Sequence, residues 1–162
     1  MKDDHDGAMS AGNSVSAMNL LRLSEMTGDS AYRQKVIGTV QAFGRSLSQV
    51  PHAMPAMLAA VDFLLGTPRQ VMIAGVPGAA DTQDLLRVVY RHYDPNRIIM
   101  LTQCAGDGEP SALQPFLESL QKIDGKATAY VCVDHVCDLP VNTPEDLLTV
   151  LLSGARDSTH VD

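Results

Sequence analysis

Apolar residues in the first part of the chain recur at helical spacing. Over SAGNSVSAMNLLRLSEMTGD the pattern predicts a helix, with Asn13 or Ser14 as N-cap and Gly28 just past its end. Val15, Met18, Leu20, Leu21, Leu23 and Met26 cover most of its circumference. A helix apolar on nearly every side needs several neighbours. The next helix, about Ser30 to Leu47, has a single stripe of Tyr32, Val36, Val40, Phe43 and Leu47. A third starts near Pro55, a favourable first-turn residue, and carries Met57, Leu58, Val61, Leu64 and Leu65 before Gly66 and Pro68 end it.

Beyond Pro68 the period changes. RQVMIAG is a short, apolar, β-branched run closed by glycine and reads as a buried strand. A helix follows in ADTQDLLRVVYRHY, with Asp81 or Thr82 near its start, then a strand in RIIMLT, a helix in SALQPFLESLQKI and a third strand in ATAYVCV. NTPEDLLTVLLSG closes as a helix with Thr143 as N-cap, Pro144 in the first turn and Gly154 at the end. Strands alternating with helices predict an α/β fold, here a small three-stranded, mostly parallel sheet with crossover helices. The expected organisation is a helical segment over residues 1–67 and a small α/β module over 68–162, with no internal repeat.

Composition narrows the partners. The 162 residues include 45% hydrophobic types, enough for a folded core. A net charge of −7 argues against nucleic acid or an anionic membrane surface as partner. No apolar run approaches the ~20 residues that span a bilayer, and the acidic start MKDDHDGAMS does not read as a signal or transit peptide. Three cysteines, Cys104, Cys132 and Cys137, are too few for a disulfide scaffold. A reduced, cytoplasmic setting is expected.

Three stretches carry candidate chemistry. GVPGAAD, residues 75–81, lies between a strand and a helix, where backbone N–H groups can cradle a phosphate. It has Pro77 where the dinucleotide fingerprint needs glycine, lacks the lysine and hydroxyl of a Walker loop, and places Asp81 where an anion would sit. An ordinary turn is expected, and no cofactor. In ATAYVCVDHVC, Cys132 and Cys137 stand five positions apart. On one straight strand they would face opposite sides ~16 Å apart, too far for a disulfide, which needs Cα atoms within roughly 7 Å. If the chain reverses at Asp134 and His135 they become cross-strand partners ~4.5–5.5 Å apart, and a disulfide or shared metal becomes possible. The spacing is neither a thioredoxin pair nor a complete zinc signature. Two buried structural cysteines are the favoured reading, with a metal or redox role as the alternative. Finally, in DDHDGAMSAGNS clustered carboxylates precede a small-residue turn and a helix mouth. Asp4, Asp6, Ser10 and Asn13 could exchange several hydrogen bonds with a hydroxyl-rich ligand such as a sugar. The competing reading is a solvated acidic end with an N-cap.

The order of several segments resembles a known family. DGAMSAGNSVSAMNLLRL, PHAMPAMLAAVDFLL, RQVMIAG with AADTQDLL, PNRIIMLT and ATAYVCVDHVCDLPVNTPEDL are similar to the C-terminal region of the spermatogenesis-associated protein 20 family, thioredoxin-domain-containing proteins. In that family a thioredoxin-like domain precedes a toroid of paired helices like those of N-acylglucosamine 2-epimerases and six-hairpin glycosidases. The resemblance implies that this chain holds the last toroid helices, Ser14 to Leu65, and the closing α/β module, without the thioredoxin-like domain or most of a sugar pocket. It implies a fragment or short form with no complete active site and a carbohydrate-related parent. The expected partners are the missing N-terminal part of that parent, or a second copy through the helical face, and a possible carbohydrate ligand.

Overall fold

A computed structural model describes residues 5–102, 120–134 and 136–153. Cys104, the proline-containing segment around Pro115, Gly154 and His160 lie outside them, as does Asp4. The chain divides into two compact units, Met1–Pro68 and Arg69–Asp162.

The first unit holds α1 (Gly12–Thr27), α2 (Ser30–Gln49), a 3-10 turn (Pro51–Ala53) and α3 (Pro55–Leu65). The start of α1 differs from the expectation. Asn13 and Ser14 lie inside its first turn, and the N-cap position falls to Ala11, which has no side chain to offer. Gly28 ends the helix in the left-handed conformation and donates its N–H to Ser24 O, as a glycine at that position is suited to do. The buried face of α1 also differs: it is Ser14, Ala17, Leu21 and Ser24, while Val15 and Leu23 are exposed. These residues, at steps of three, four and three and small except for Leu21, form a stripe that packs against both α2 and α3. In α2, Asp29 caps the Ala31 N–H at 2.8 Å and the stripe buries Val36 and Phe43. In α3, Met57, Ala60, Phe63 and Leu64 are buried.

The second unit contains β1 (Arg69–Ala74), α4 (Ala80–Arg91), β2 (Arg97–Thr102), β3 (Thr128–Val133), β4 (Val136–Cys137) and α5 (Pro144–Ser153). It is α/β, but the sheet is four-stranded and mixed, in the order β2-β1-β3-β4. Only β1 and β2 are parallel, joined by the α4 crossover; β3 runs antiparallel to β1, with Ala74 opposite Thr128. The predicted mostly parallel sheet is therefore corrected. β3 begins at the end of the sheet where β1 and β2 finish. The predicted helix over SALQPFLESLQKI lies outside the described residues up to position 119, and its end is corrected. Leu120 to Lys122 are not helical, and Ile123 pairs with Lys126 across a tight turn at Asp124 and Gly125, both with positive φ. Asp-Gly is a favoured pair for such a hairpin turn.

One face of the sheet is covered by helices. Val71, Ile73, Ala129 and Val131 pack with Leu85 and Val89 of α4 and with Leu147 and Leu151 of α5. β1 is buried on both faces, which explains its unbroken apolar run. Thr143 caps α5, its hydroxyl accepting from Asp146 N at 3.2 Å and donating to the Asp146 carboxylate at 2.6 Å. Beyond β4 the chain stays beside β3: Asp138 N donates to Val131 O, and Ala129 and Val141 exchange two bonds. Two steps along β3 thus match three steps past β4, a one-residue bulge at Leu139–Pro140.

Candidate functional site

The N-terminal acidic stretch is drawn into the helical unit by one residue. Asp6 N–H donates to Ala53 O at 2.7 Å. Its carboxylate accepts from Ala11 N at 2.7 Å on one oxygen, and from Ala56 N at 2.9 Å and Met57 N at 3.4 Å on the other. Ala56 and Met57 open α3, and Ala11 precedes α1, so one side chain satisfies orphan donors at the mouths of two helices. Burial alone pushes the Asp6 carboxyl upward, but the N–H groups of Ala11, Ala56 and Met57 outweigh it and hold the group below its ordinary value. The fully buried Ser14 hydroxyl adds to this from beside the carboxylate, although the two stand outside good hydrogen-bond geometry.

Of the residues proposed for a hydroxyl-rich ligand, Asp6 thus directs three of its roughly four acceptor sites at backbone donors. Ser10 is exposed in the short loop that follows, and Asn13 is half-buried in the first turn of α1. Asp6 and Asn13 flank that loop, while Asp4 lies outside the described residues. The partners of Asp6 near Ala53 are some fifty residues away, and no local pattern signals them.

The turn GVPGAAD holds a second carboxylate-to-backbone clasp. Asp81 accepts from Thr82 N and from Ala127 N, both at 2.8 Å, tying the start of α4 to the entry of β3. The Ala127 and Thr82 N–H groups keep its carboxyl below its ordinary value. Gly75 is buried against this clasp, where an added Cβ would meet Thr82 Oγ1 at 2.4 Å and Ala127 Cβ at 3.1 Å. The position where an anion would dock is filled by the protein's own carboxylate.

Three arginines do the converse for helix C-termini. Arg33 donates to Leu64 O at the end of α3, Arg69 to Leu151 O near the end of α5, and Arg97 to Val89 O and His92 O at the end of α4. Each places positive charge where carbonyls are unsatisfied. Burial lowers the Arg97 pKa from its ordinary value, Asp94 at 3.4 Å opposes this, and neighbouring Arg69 adds to it.

The chain does reverse at Asp134, which has positive φ, and Cys132 and Cys137 are directly opposed across β3 and β4. They form a disulfide, with Cα atoms 3.9 Å apart. The favoured reading of two buried structural cysteines is corrected in part: Cys132 is 1% exposed but Cys137 is open to solvent, and the pairing that the spacing left open is a bond. Among the described residues, no group of three or more His, Cys, Asp or Glu side chains is placed to hold a metal ion.

These features define a two-unit protein of packed helices and a mixed α/β layer, whose most distinctive segment clasps two helix mouths. Nearly the whole chain matches spermatogenesis-associated protein 20. Identity is 37% with the rat protein, 38% with the human and 37% with the mouse, over 155 residues that cover 93% of this chain and 19% of each relative. An uncharacterised protein of Caenorhabditis elegans is 27% identical over 148 residues, 91% of this chain and 20% of its own. The chain belongs to the spermatogenesis-associated protein 20 family and spans about a fifth of the length of these relatives. No family model and no solved structure matches it.

Proposed function

We propose that the chain corresponds to the C-terminal part of a longer spermatogenesis-associated protein 20-type protein and has no complete active site of its own. The carrying observation is the match: 93% of the chain aligns with 19% of each mammalian relative. In this reading α1 to α3 complete an α/α toroid related to carbohydrate chemistry. The loop between Asp6 and α1 supplies one wall of a pocket, with Asp4, Ser10 and Asn13 as ligand contacts and Asp6 as their anchor. Titration calorimetry with mono- and disaccharides tests it: the full-length mammalian relative binds and this chain alone does not. Absence of binding by that relative removes the carbohydrate reading.

A second reading, a non-enzymatic interaction module, is favoured by Val15 and Leu23 on α1 and Leu58 and Leu65 on α3, all exposed despite their size. Their partner would be the rest of the parent protein or a second copy of this chain. Co-purification with the remaining part of a relative, alongside light scattering of the chain alone, separates these outcomes. The proposed compartment is the cytoplasm, with neither nucleic acid nor membrane as partner. The net charge of −7 supports this, and no described helix is long and apolar enough to cross a membrane.

A further inference from the structure

We propose that Cys132 and Cys137 form a thiol–disulfide exchange site, attacked by small thiols and dithiols at the Cys137 sulfur. Four observations converge on it. The bond joins β3 to β4, and β4 is an edge strand of the sheet. The two residues are unequal in exposure, Cys137 being exposed and Cys132 buried in β3, which favours attack at Cys137 with Cys132 leaving. The cysteines are five residues apart, so the bond closes a short loop and removes less entropy from the unfolded chain than a long-range bridge would. The hairpin also has other fastenings: Val133 pairs with Val136, Asp138 N bonds Val131 O, and Ala129 and Val141 exchange two bonds. With the bond open, these hold the two thiols opposite each other, ready to close again.

The exchange runs in two displacements. A thiolate attacks Cys137 Sγ and forms a mixed disulfide; the Cys132–Cys137 bond breaks and Cys132 leaves as a thiolate that takes a proton. A second thiolate, from the same dithiol or another monothiol, attacks the reagent sulfur of the mixed disulfide and releases Cys137 as a thiolate. Two external thiols are oxidised to a disulfide, and the protein pair gains two electrons and two protons. Closure by an external disulfide is the reverse. A disulfide that cycles in this way is the kind found in a reducing compartment.

The test uses the whole chain with Cys104→Ser, so that only the pair reports. Under native conditions dithiothreitol should release two alkylatable thiols with an unchanged circular dichroism spectrum, and oxidised glutathione should remove them again. Reduced glutathione followed by acid quench and peptide mapping should place the adduct on Cys137. In the single-thiol variants, Cys137 (in Cys132→Ser) should react with oxidised glutathione at least about tenfold faster than Cys132 (in Cys137→Ser). A pair that opens only in denaturant, two thiols that never close, or an adduct on Cys132 would each overturn the proposal. The reduction and the adduct mapping need no change at either cysteine, so a variant that misfolds does not rescue the idea.

Discussion

Replacing Asp6 by alanine removes three carboxylate acceptor contacts at once, to Ala11 N, Ala56 N and Met57 N, while leaving the backbone bond to Ala53 O. Loss of a single helix cap costs roughly 1 kcal/mol, with a range of about 0.5–2. Two mouths lose their acceptor here, so Asp6→Ala should destabilise the helical unit by about 2–3 kcal/mol, the upper end reflecting the charge on the acceptor. Asp6→Asn keeps one acceptor oxygen but turns an amide donor toward backbone donors, and should fall between the two. The pH dependence follows from the direction of the shift. Because the folded-state pKa is depressed, this stabilisation is fully present above the unfolded value of about 3.9. It is lost as pH falls through the lower folded-state value. Urea titrations at neutral and acid pH, with amide exchange resolved to Ala11, Ala56 and Met57, measure both effects. Wild type should lose protection at these amides on acidification, and Asp6→Ala should already have lost it at neutral pH. A neutral-pH cost below about 0.5 kcal/mol, the scale of an ordinary surface substitution, with protection at these amides intact, would refute the clasp.

Four further expectations concern other sites. Gly75→Ala should cost about 1–3 kcal/mol through overpacking, because its Cβ would meet Thr82 Oγ1 and Ala127 Cβ; adding Thr82→Ala should recover part of this in a double-mutant denaturation cycle. Asp81→Ala should cost the α/β unit about 1 kcal/mol at neutral pH and should free the Ala127 amide, with the wild-type contribution again lost in acid because the folded pKa lies below the unfolded one. Arg97→Lys should not restore what Arg97→Ala loses in thermal denaturation, since one ammonium does not reproduce the guanidinium fork on Val89 O, His92 O and Asp94. Leu65→Glu, at a side chain 80% exposed, should shift stability by under about 0.5 kcal/mol yet lower the mass seen by light scattering if the helical face self-associates.

How far the sequence foretold this structure depended on the range of each interaction. α2 and α3 were legible because a single apolar stripe and Pro55 act locally. α1 departs from its pattern at both its start and its face: the carboxylate at its mouth comes from Asp6, five residues before Ala11, and its buried stripe joins Leu21 to Ser14, Ala17 and Ser24, which hydrophobic patterning ignores. Strand positions followed from β-branched runs, but strand direction did not, because alternation is the same in parallel and antiparallel neighbours. The Asp124–Gly125 pair is a local turn signal, and it ends the helical pattern before Ile123. For the cysteines, spacing defined the choice between straight strand and hairpin, and the reversal at Asp134 decided it. The clasp of Asp6 on Ala56 and Met57 had no local signature at all.

The displaced register at Leu139 and Pro140 has a consequence for how this protein behaves in a crowded solution. Open sheet borders recruit strands from other molecules. At the β4 border, one of two beside that of β2, the strand has only two residues, and the chain beyond it buckles at a residue with no N–H to offer a newcomer. At this border a stranger molecule meets too short and too bent a template to add a regular ladder. Straightening it, by deleting Leu139 and replacing Pro140 with valine, should turn the β4 border into one that recruits strands.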